Sequence, residues 1–173
     1  MTLAVLLAVL TDLEDGRALP GYPRAVAVAI LEAVEHDREP PVFGSRDADA
    51  AVLGLWAWRE SRLDPYAVNP AGRSFGAWQQ GRPCGTAPVT QQARCFLHLL
   101  HAGARLCPDS PGAVAWGACH ARDVLTGRDV AELAAERVER ALRALARVRE
   151  PLPPLPREPG PSADPRGGPE GHV

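Results

Sequence analysis

The stretch Trp56–Gln80 reads W-A-W-R-E-S-R-L-D-P-Y-A-V-N-P-A-G-R-S-F-G-A-W-Q-Q, and the interpretation of the whole chain depends on it. An apolar segment, Ala48–Trp58, predicts a helix, and the residues that follow are rich in Asn, Pro, Gly and Ser. Glu60 lies where the helix gives way to turns. A carboxyl group between apolar rings and an open cleft tends to be desolvated, which favours the protonated form that a general acid needs near neutral pH. Glu60 is therefore the candidate catalytic residue.

The composition limits the class of protein. The chain has 173 residues, of which 46% are hydrophobic, so it can form one domain with a substantial core. Its net charge of −2 excludes the basic surface typical of nucleic-acid-binding proteins. No apolar run is long enough to span a bilayer. We expect a monomer that needs no cofactor or metal, binds no nucleic acid and has no membrane span.

Residues 1–22 allow two interpretations. The apolar run L-A-V-L-L-A-V-L resembles the core of a signal peptide, but no Lys or Arg precedes it and no convincing small-residue cleavage site follows it. The other interpretation, which the pattern favours, is a first helix of the domain.

Apolar positions at offsets of three and four predict the helices of a domain that covers residues 23–149. Ser45 or Asp47 can cap the helix that leads to Glu60, and Asp129 is a good N-cap for the last helix. Residues 69–85 are turn-rich and could form a short irregular hairpin lobe. Two ion pairs are expected on the exposed face of the last helix: Glu136–Arg140 and Glu139–Arg143. The predicted helices cover residues 24–36, 48–58, 90–106, 112–121 and 129–149.

The composition changes abruptly at residue 150. Residues 150–173 are rich in Pro and Gly and have few apolar anchors, which predicts a disordered tail. Its first residues, P-L-P-P-L-P, could dock in an aromatic groove as a polyproline helix, but a solvated tail is the favoured interpretation.

Four cysteines lie within one segment of the chain: Cys84, Cys95, Cys107 and Cys119. A zinc site with His98, His101 or His120 is disfavoured because no Cys-x-x-Cys motif is present. Disulfides are favoured, and they indicate an extracytoplasmic, secreted or virion-associated protein.

The disulfide pairing can be narrowed but not decided from the sequence. If Cys95 and Cys107 bracket one helix, they lie about 18 Å apart, which is too far for a bond. Two pairings remain, 84–95 with 107–119 or 84–107 with 95–119, and the shorter loops favour the first.

Several fixed spacings around Glu60 occur together. Glu60-Ser61 is followed by Asp64-Pro65, Pro70-Ala71-Gly72, Gly76 and Gln79. This pattern resembles the soluble lytic transglycosylase domain of the lysozyme-like superfamily. The resemblance implies a mainly α, lysozyme-like fold (α+β with a minimal, irregular β lobe) that cleaves peptidoglycan glycan strands. It makes Glu60 the catalytic acid and base, and it implies substrate contacts for Ser61, Gly76, Trp78, Gln79 and Trp116.

The chain also departs from the family's pattern. Three residues separate Gly72 from Gly76, where the family more often has two. The family's Ala-Tyr-Asn-Ala-Gly motif is present only as Ala115–Cys119, in which Gly117 replaces the Asn. Any hydrogen bonds made by that Asn are therefore lost.

The chemistry implied by the resemblance requires a single carboxyl group. Asp64 is the only acid near Glu60, and its Leu-Asp-Pro setting predicts that it orients the backbone. In lytic transglycosylases the N-acetyl group and 6-hydroxyl of the muramic acid replace a second carboxylate, and the product is a 1,6-anhydro sugar. A hydrolytic muramidase and a catalytically inactive wall-binding protein on the same fold are the alternatives.

Each site residue also has a plainer interpretation. Glu60 could be a solvated carboxylate paired with Arg59 or Arg62, and Ser61 could bond Glu60 or begin the helix C-cap. Gln79 could satisfy a buried backbone group instead of binding an N-acetyl sugar. The remaining alternatives are that Gly76 provides positive φ or a close backbone approach, and that Trp78 and Trp116 are core residues.

Overall fold

The computed structural model describes residues 1–116, 119, 122–123 and 127–150, apart from the side chains of residues 114–116. The described chain is mainly helical, which confirms the predicted mainly α class. None of its described helices has the length and apolar character needed to cross a membrane. In chain order the helices are α1 (Leu3–Leu13), α2 (Pro23–His36), α3 (Arg46–Ser61), α4 (Arg82–Gly85), α5 (Val89–Leu106), a 3-10 helix (Pro111–Trp116) and α6 (Val130–Arg149).

Helix α3 lies at the centre of the fold. Every residue from Ala48 to Trp58 is buried, and the helix packs against α1, α2, α5 and α6. A helix that is buried on all sides needs apolar residues around its whole circumference. This segment has them apart from Asp49, whose carboxylate accepts hydrogen bonds from the Val42 and Phe43 N–H groups. At its C-terminal end the Trp56 ring lies 6.0 Å from Phe96, which stacks on Trp78 at 6.3 Å.

Helix α1 is part of the core. Its buried face, formed by Leu6, Val9, Leu10 and Leu13, packs against α2, α3 and α6. Gly54 of α3 permits the close approach, since a Cβ there would lie 3.0 Å from the Leu10 side chain. Residues 3–13 are therefore one of the packed helices of the fold.

The caps and surface pairs follow local chemistry with one exception. Ser45, not Asp47, caps α3, because its Oγ accepts from the Ala48 N–H. Asp129 caps α6 as predicted, and the Glu139–Arg143 ion pair is present.

The predicted Glu136–Arg140 pair is wrong. Glu136 binds Arg128 instead. Arg140 turns toward the core, where it donates to the Leu13 carbonyl and lies over the Trp58 ring. These partners are distant in sequence, so helix spacing could not indicate them.

Between α3 and α5 the chain forms a turn-rich lobe, residues 62–88. Isolated bridges join Val68 to Phe75 and Phe75 to Gln80, so the described lobe has bridges where a hairpin was expected. The disulfides are Cys84–Cys95 and Cys107–Cys119, with Cα atoms 6.1 and 5.6 Å apart, which confirms the favoured pairing.

The segment predicted as a helix over residues 112–121 begins as the 3-10 helix Pro111–Trp116. Gly117 and most of the residues up to 126 lie outside the described part of the chain, as does the Pro- and Gly-rich tail from residue 151 onward.

Candidate active site

Glu60 occupies the last turn of α3, and the turn that follows sets its position. Arg62 and Leu63 adopt left-handed φ angles of 58° and 63°, so the helix ends sharply there. The Ser61 hydroxyl donates to the Ala57 carbonyl at 3.1 Å and accepts from the Asp64 N–H at 3.0 Å. Ser61 therefore stabilises the helix end and does not bond Glu60.

Asp64 has the backbone role that its turn predicted. One carboxylate oxygen of Asp64 accepts from the Tyr66 N–H at 2.9 Å, two residues further along the chain. This local bond reverses the chain toward the lobe.

Glu60 lines a cleft of about 230 Å³ between α3, the lobe and α5. Three residues predicted from the sequence meet there: Glu60, Trp78 and Gln79. The structure adds two polar side chains, Asn69 and Ser74, whose role the sequence did not indicate. The aromatic rings of Trp56 and Phe96 complete the lining.

The ion partner of Glu60 is Arg137 of α6. Its Nη1 donates to Glu60 Oε1 at 2.7 Å, and the two side chains are 20% and 30% exposed. Neither Arg59 nor Arg62 takes this role, since Arg62 binds Glu14. Arg137 is 77 residues away in sequence. The one signal for it is its place beside the buried stripe of α6, three residues after Ala134.

The electrostatic setting of Glu60 differs from the expectation. The sequence predicted a carboxyl group desolvated by apolar neighbours, whereas the structure has a partly exposed carboxyl group beside a guanidinium. The other oxygen, Oε2, makes no hydrogen bond within the described residues.

Trp78 is mainly a core residue. Its ring is 3% exposed, and its Nε1–H donates to the Leu53 carbonyl of α3 at 3.0 Å. It forms a wall of the cleft with little free surface, so the structure favours the packing interpretation.

Gln79 holds the lobe backbone through its amide nitrogen. Nε2 donates to the Gly76 carbonyl at 2.9 Å and to the Ala67 carbonyl at 3.5 Å, and the residue itself has a φ of 49°. Its Oε1 accepts no hydrogen bond from the described part of the chain. Gln79 thus satisfies backbone groups while it lines the cleft.

Gly76 meets both structural requirements predicted for it. Its φ is 76°, and a Cβ would lie 2.3 Å from Gln92 Oε1 and 2.5 Å from the Gly85 carbonyl. No side chain larger than hydrogen fits at this position.

Gln92 supports the cleft from below, and the sequence interpretation missed it. Its buried amide accepts from the Ala77 N–H at 2.9 Å and donates to the carbonyls of Pro65 and Ala87 at 3.0 and 2.8 Å. The available signal was a polar residue four positions before Phe96 in the apolar stripe of α5.

Two of the residues named from the sequence cannot be placed in the cleft. Trp116 ends the 3-10 helix, but its side chain and the whole of Gly117 lie outside the described residues.

The cysteines are not available as ligands for the zinc site that was considered as an alternative. All four form disulfides, and His101 is hydrogen-bonded to Asp37 at 2.7 Å. Across the described ranges, no group of three or more His, Cys, Asp or Glu side chains is arranged to hold a metal ion.

No family model, no curated protein and no solved structure matches this chain. The chemistry of the cleft therefore has to support any functional assignment, together with the motif that surrounds Glu60.

Proposed function

We propose that this chain is a peptidoglycan-cleaving lytic transglycosylase with a lysozyme-like fold, and that Glu60 is its single acid and base. The observation that supports this most strongly is the position of Glu60. It is the one carboxyl side chain among the described residues that line the 230 Å³ cleft, and it lies at a helix end that faces a turn-rich lobe.

The rest of the lining suits a sugar. Asn69, Ser74 and Gln79 provide hydrogen-bonding groups, and Trp56, Trp78 and Phe96 form the walls behind them with only 1%, 3% and 2% of their surface exposed. A few polar groups placed in this way can orient the hydroxyl and amide groups of an amino sugar.

The reaction starts with a proton on Glu60. Glu60 donates it to the glycosidic oxygen as the bond to the muramic acid breaks, and the N-acetyl group of that sugar stabilises the oxocarbenium-like centre. Glu60, now a carboxylate, accepts the proton of the 6-hydroxyl as this oxygen attacks the anomeric carbon. The product is a 1,6-anhydro muropeptide, and Glu60 is protonated again.

Arg137 contributes between these two steps. Its guanidinium donates a charge-assisted hydrogen bond to Glu60 Oε1, which stabilises the carboxylate that exists after the first proton transfer. The unbonded Oε2 is the oxygen that exchanges the proton with the substrate.

The cell compartment follows from the same proposal. Peptidoglycan lies outside the cytoplasm, and the two disulfides fit an oxidising environment. We propose a periplasmic, secreted or virion-associated location.

The first prediction tests Glu60 directly. Glu60→Gln should lower the cleavage of purified sacculi by at least about 100-fold, because the amide cannot donate the proton. The measurement is the release of soluble muropeptides. Circular dichroism should show an unchanged fold, and the partly exposed Arg137 pair should cost less than about 1 kcal/mol in unfolding free energy.

The matched control is Glu136→Gln. Glu136 also pairs with an arginine, Arg128, but it is exposed on α6 away from the cleft. We expect full activity in this variant. Cleavage by the Glu60→Gln protein at the wild-type rate would refute the assignment.

Two alternatives, a hydrolytic muramidase and an inactive wall-binding protein, predict different experimental results. Mass spectrometry of the released fragments distinguishes anhydro ends from the reducing ends that a hydrolytic muramidase leaves. The Glu60–Arg137 bond also suits an inactive wall-binding protein in which Glu60 only joins α3 to α6. That protein would bind sacculi without releasing fragments.

A further inference from the structure

Four arginines converge where the end of α3 meets α6: Arg59, Arg62, Arg137 and Arg140, here called the arginine cluster. Their guanidinium groups gather on two tryptophan rings. Those of Arg59, Arg62 and Arg140 lie 5.7, 4.8 and 5.1 Å from the centre of the Trp58 ring, and that of Arg137 lies 5.3 Å from the Trp56 ring. The aromatic faces hold the four cations close together.

The cluster has more positive than negative charge. Two carboxylates from the described residues bond to it: Glu14 pairs with Arg62, and Glu60 pairs with Arg137, each at 2.7 Å. Arg140 donates to a backbone carbonyl, that of Leu13. The local excess of cations contrasts with the net charge of −2 of the whole chain.

Arg59 is an exposed member of the cluster. Its guanidinium makes no hydrogen bond or ion pair with the described residues and lies over the face of Trp58. Partial burial lowers the pKa of Arg59, the like charges of Arg137 and Arg140 lower it further, and the nearby charge of Glu60 offsets only part of this effect. Arginine stays charged all the same, so an anion that binds here relieves this repulsion.

The cluster adjoins the candidate cleavage site. Arg59 precedes Glu60 in the chain, and Arg137 touches Glu60 itself. In a peptidoglycan strand that carries peptides, the lactyl carboxyl group of the muramic acid is bound in the amide to the peptide, and the anionic groups near the scissile bond are the carboxylates of that stem peptide. The planar guanidinium group of arginine can donate two parallel hydrogen bonds to a carboxylate.

We propose that the arginine cluster binds a stem-peptide carboxylate of the glycan strand, and that the open guanidinium of Arg59 is the main contact. The inference rests on the proposed function for its substrate. It adds a specificity: strands whose stem peptides carry free carboxylates bind better than strands whose peptide carboxylates are amidated.

The test measures binding without cleavage. A disaccharide that carries its stem peptide with free carboxylates, and the same disaccharide with those carboxylates converted to primary amides, are titrated by calorimetry against the wild type and Arg59→Gln. We expect the substitution to weaken binding of the ligand with free carboxylates by about tenfold, as for one charge-assisted hydrogen bond. Binding of the amidated ligand should not change.

The control is Arg94→Gln. Arg94 is an exposed arginine of α5 that lies in a separate pocket with His98 and His101. Its loss changes the net charge equally but should leave both affinities unchanged. Higher salt should weaken binding of the ligand with free carboxylates to the wild type more than to Arg59→Gln.

Three outcomes would overturn the inference. The first is that Arg59→Gln has no effect on affinity, and the second is an equal loss of affinity for both disaccharides. The third is a loss of affinity only for poly(glycerol phosphate), which is titrated in a separate experiment. Binding that depends on the free peptide carboxylates, by a protein that releases no muropeptides, would refute the proposed function and leave this inference intact.

Discussion

At the scale of single residues, Gln92 shows how one buried amide can hold the lobe that forms a wall of the cleft. Its side chain is 2% exposed and bonds to three backbone groups from separate turns, those of Pro65, Ala77 and Ala87. Removal of the amide leaves these groups buried without partners, which is costly in a low-dielectric interior.

We therefore predict that Gln92→Leu lowers the free energy of unfolding by about 2–4 kcal/mol. Urea denaturation followed by circular dichroism measures the change. Gln91→Leu is the matched control. Gln91 is the exposed neighbour of Gln92 and bonds to none of these backbone groups, so its substitution should change stability by less than about 0.5 kcal/mol. Similar losses in the two variants would show that the three bonds contribute little.

The residues of the site differ in how far the sequence could predict them. The turn chemistry of Ser61, Asp64 and Gly76 is local, so the spacing of residue types was informative. The partner of Glu60 depends on how α6 packs against α3, which brings Arg137 to the Glu60 carboxylate. Local sequence patterns do not indicate a contact between residues so far apart in the chain.

At the scale of elements, the helices follow their apolar periodicity closely. Helices α2, α5 and α6 begin and end within about one residue of the predicted bounds, because a buried stripe and its caps are local signals. The lobe was less predictable. Its geometry depends on left-handed residues such as Gln79 and on Gln92, neither of which shows a periodic pattern.

The two disulfides join neighbouring elements: Cys84–Cys95 connects α4 to α5, and Cys107–Cys119 connects the end of α5 to the segment after the 3-10 helix. Each closes a short loop, with sequence separations of 11 and 12. A cross-link of this kind mainly restricts the unfolded chain.

We predict that replacing either pair with serines lowers the free energy of unfolding by about 2–3 kcal/mol. The two losses should agree within about 1 kcal/mol because the loops have nearly equal lengths. Chemical denaturation of each double variant provides the values. Strongly unequal losses would mean that contacts in the folded state, and not loop entropy, determine the contribution of each bond.

At the scale of the whole molecule, the sequence predicted the fold class but not how the helices pack against one another. The apolar residues around α3 agree with its complete burial, but nothing local indicated which helices would surround it. Nor did it show that α1 would meet α6, where Arg147 binds Asp12 across 135 residues. These contacts arise only when the stripes of several helices are buried together.

Three helices also meet at Asp37, the residue that ends α2. Its carboxylate accepts from Arg46 of α3 at 2.6 Å and bonds to His101 of α5 at 2.7 Å. Burial acts to raise the pKa of Asp37, but the hydrogen bonds from His101, the Glu39 N–H and Arg46 outweigh it, so the pKa lies below its ordinary value.

Asp49 behaves in the opposite way. Burial raises its pKa although the Phe43 and Val42 N–H groups donate to its carboxylate. The folded state therefore keeps the proton to a higher pH than the unfolded state does. The contribution of Asp49 to stability decreases as pH rises from the ordinary aspartate value, about 4, through its folded pKa.

The last prediction concerns acid unfolding. Because the pKa of Asp37 is lower in the folded state, its contribution to stability is present above the ordinary aspartate value, about 4, and is lost as pH falls through the folded value. Asp37→Asn should therefore be less stable than the wild type at pH 7 and should lose less stability between about pH 4 and pH 2. Asp49→Asn is the comparison, since it removes a carboxyl group whose pKa is shifted in the opposite direction and should therefore make the acid-induced loss larger. Urea midpoints across this range measure both slopes, and parallel curves for the wild type and Asp37→Asn would contradict the assignment of Asp37 as the acid-sensitive junction of α2, α3 and α5.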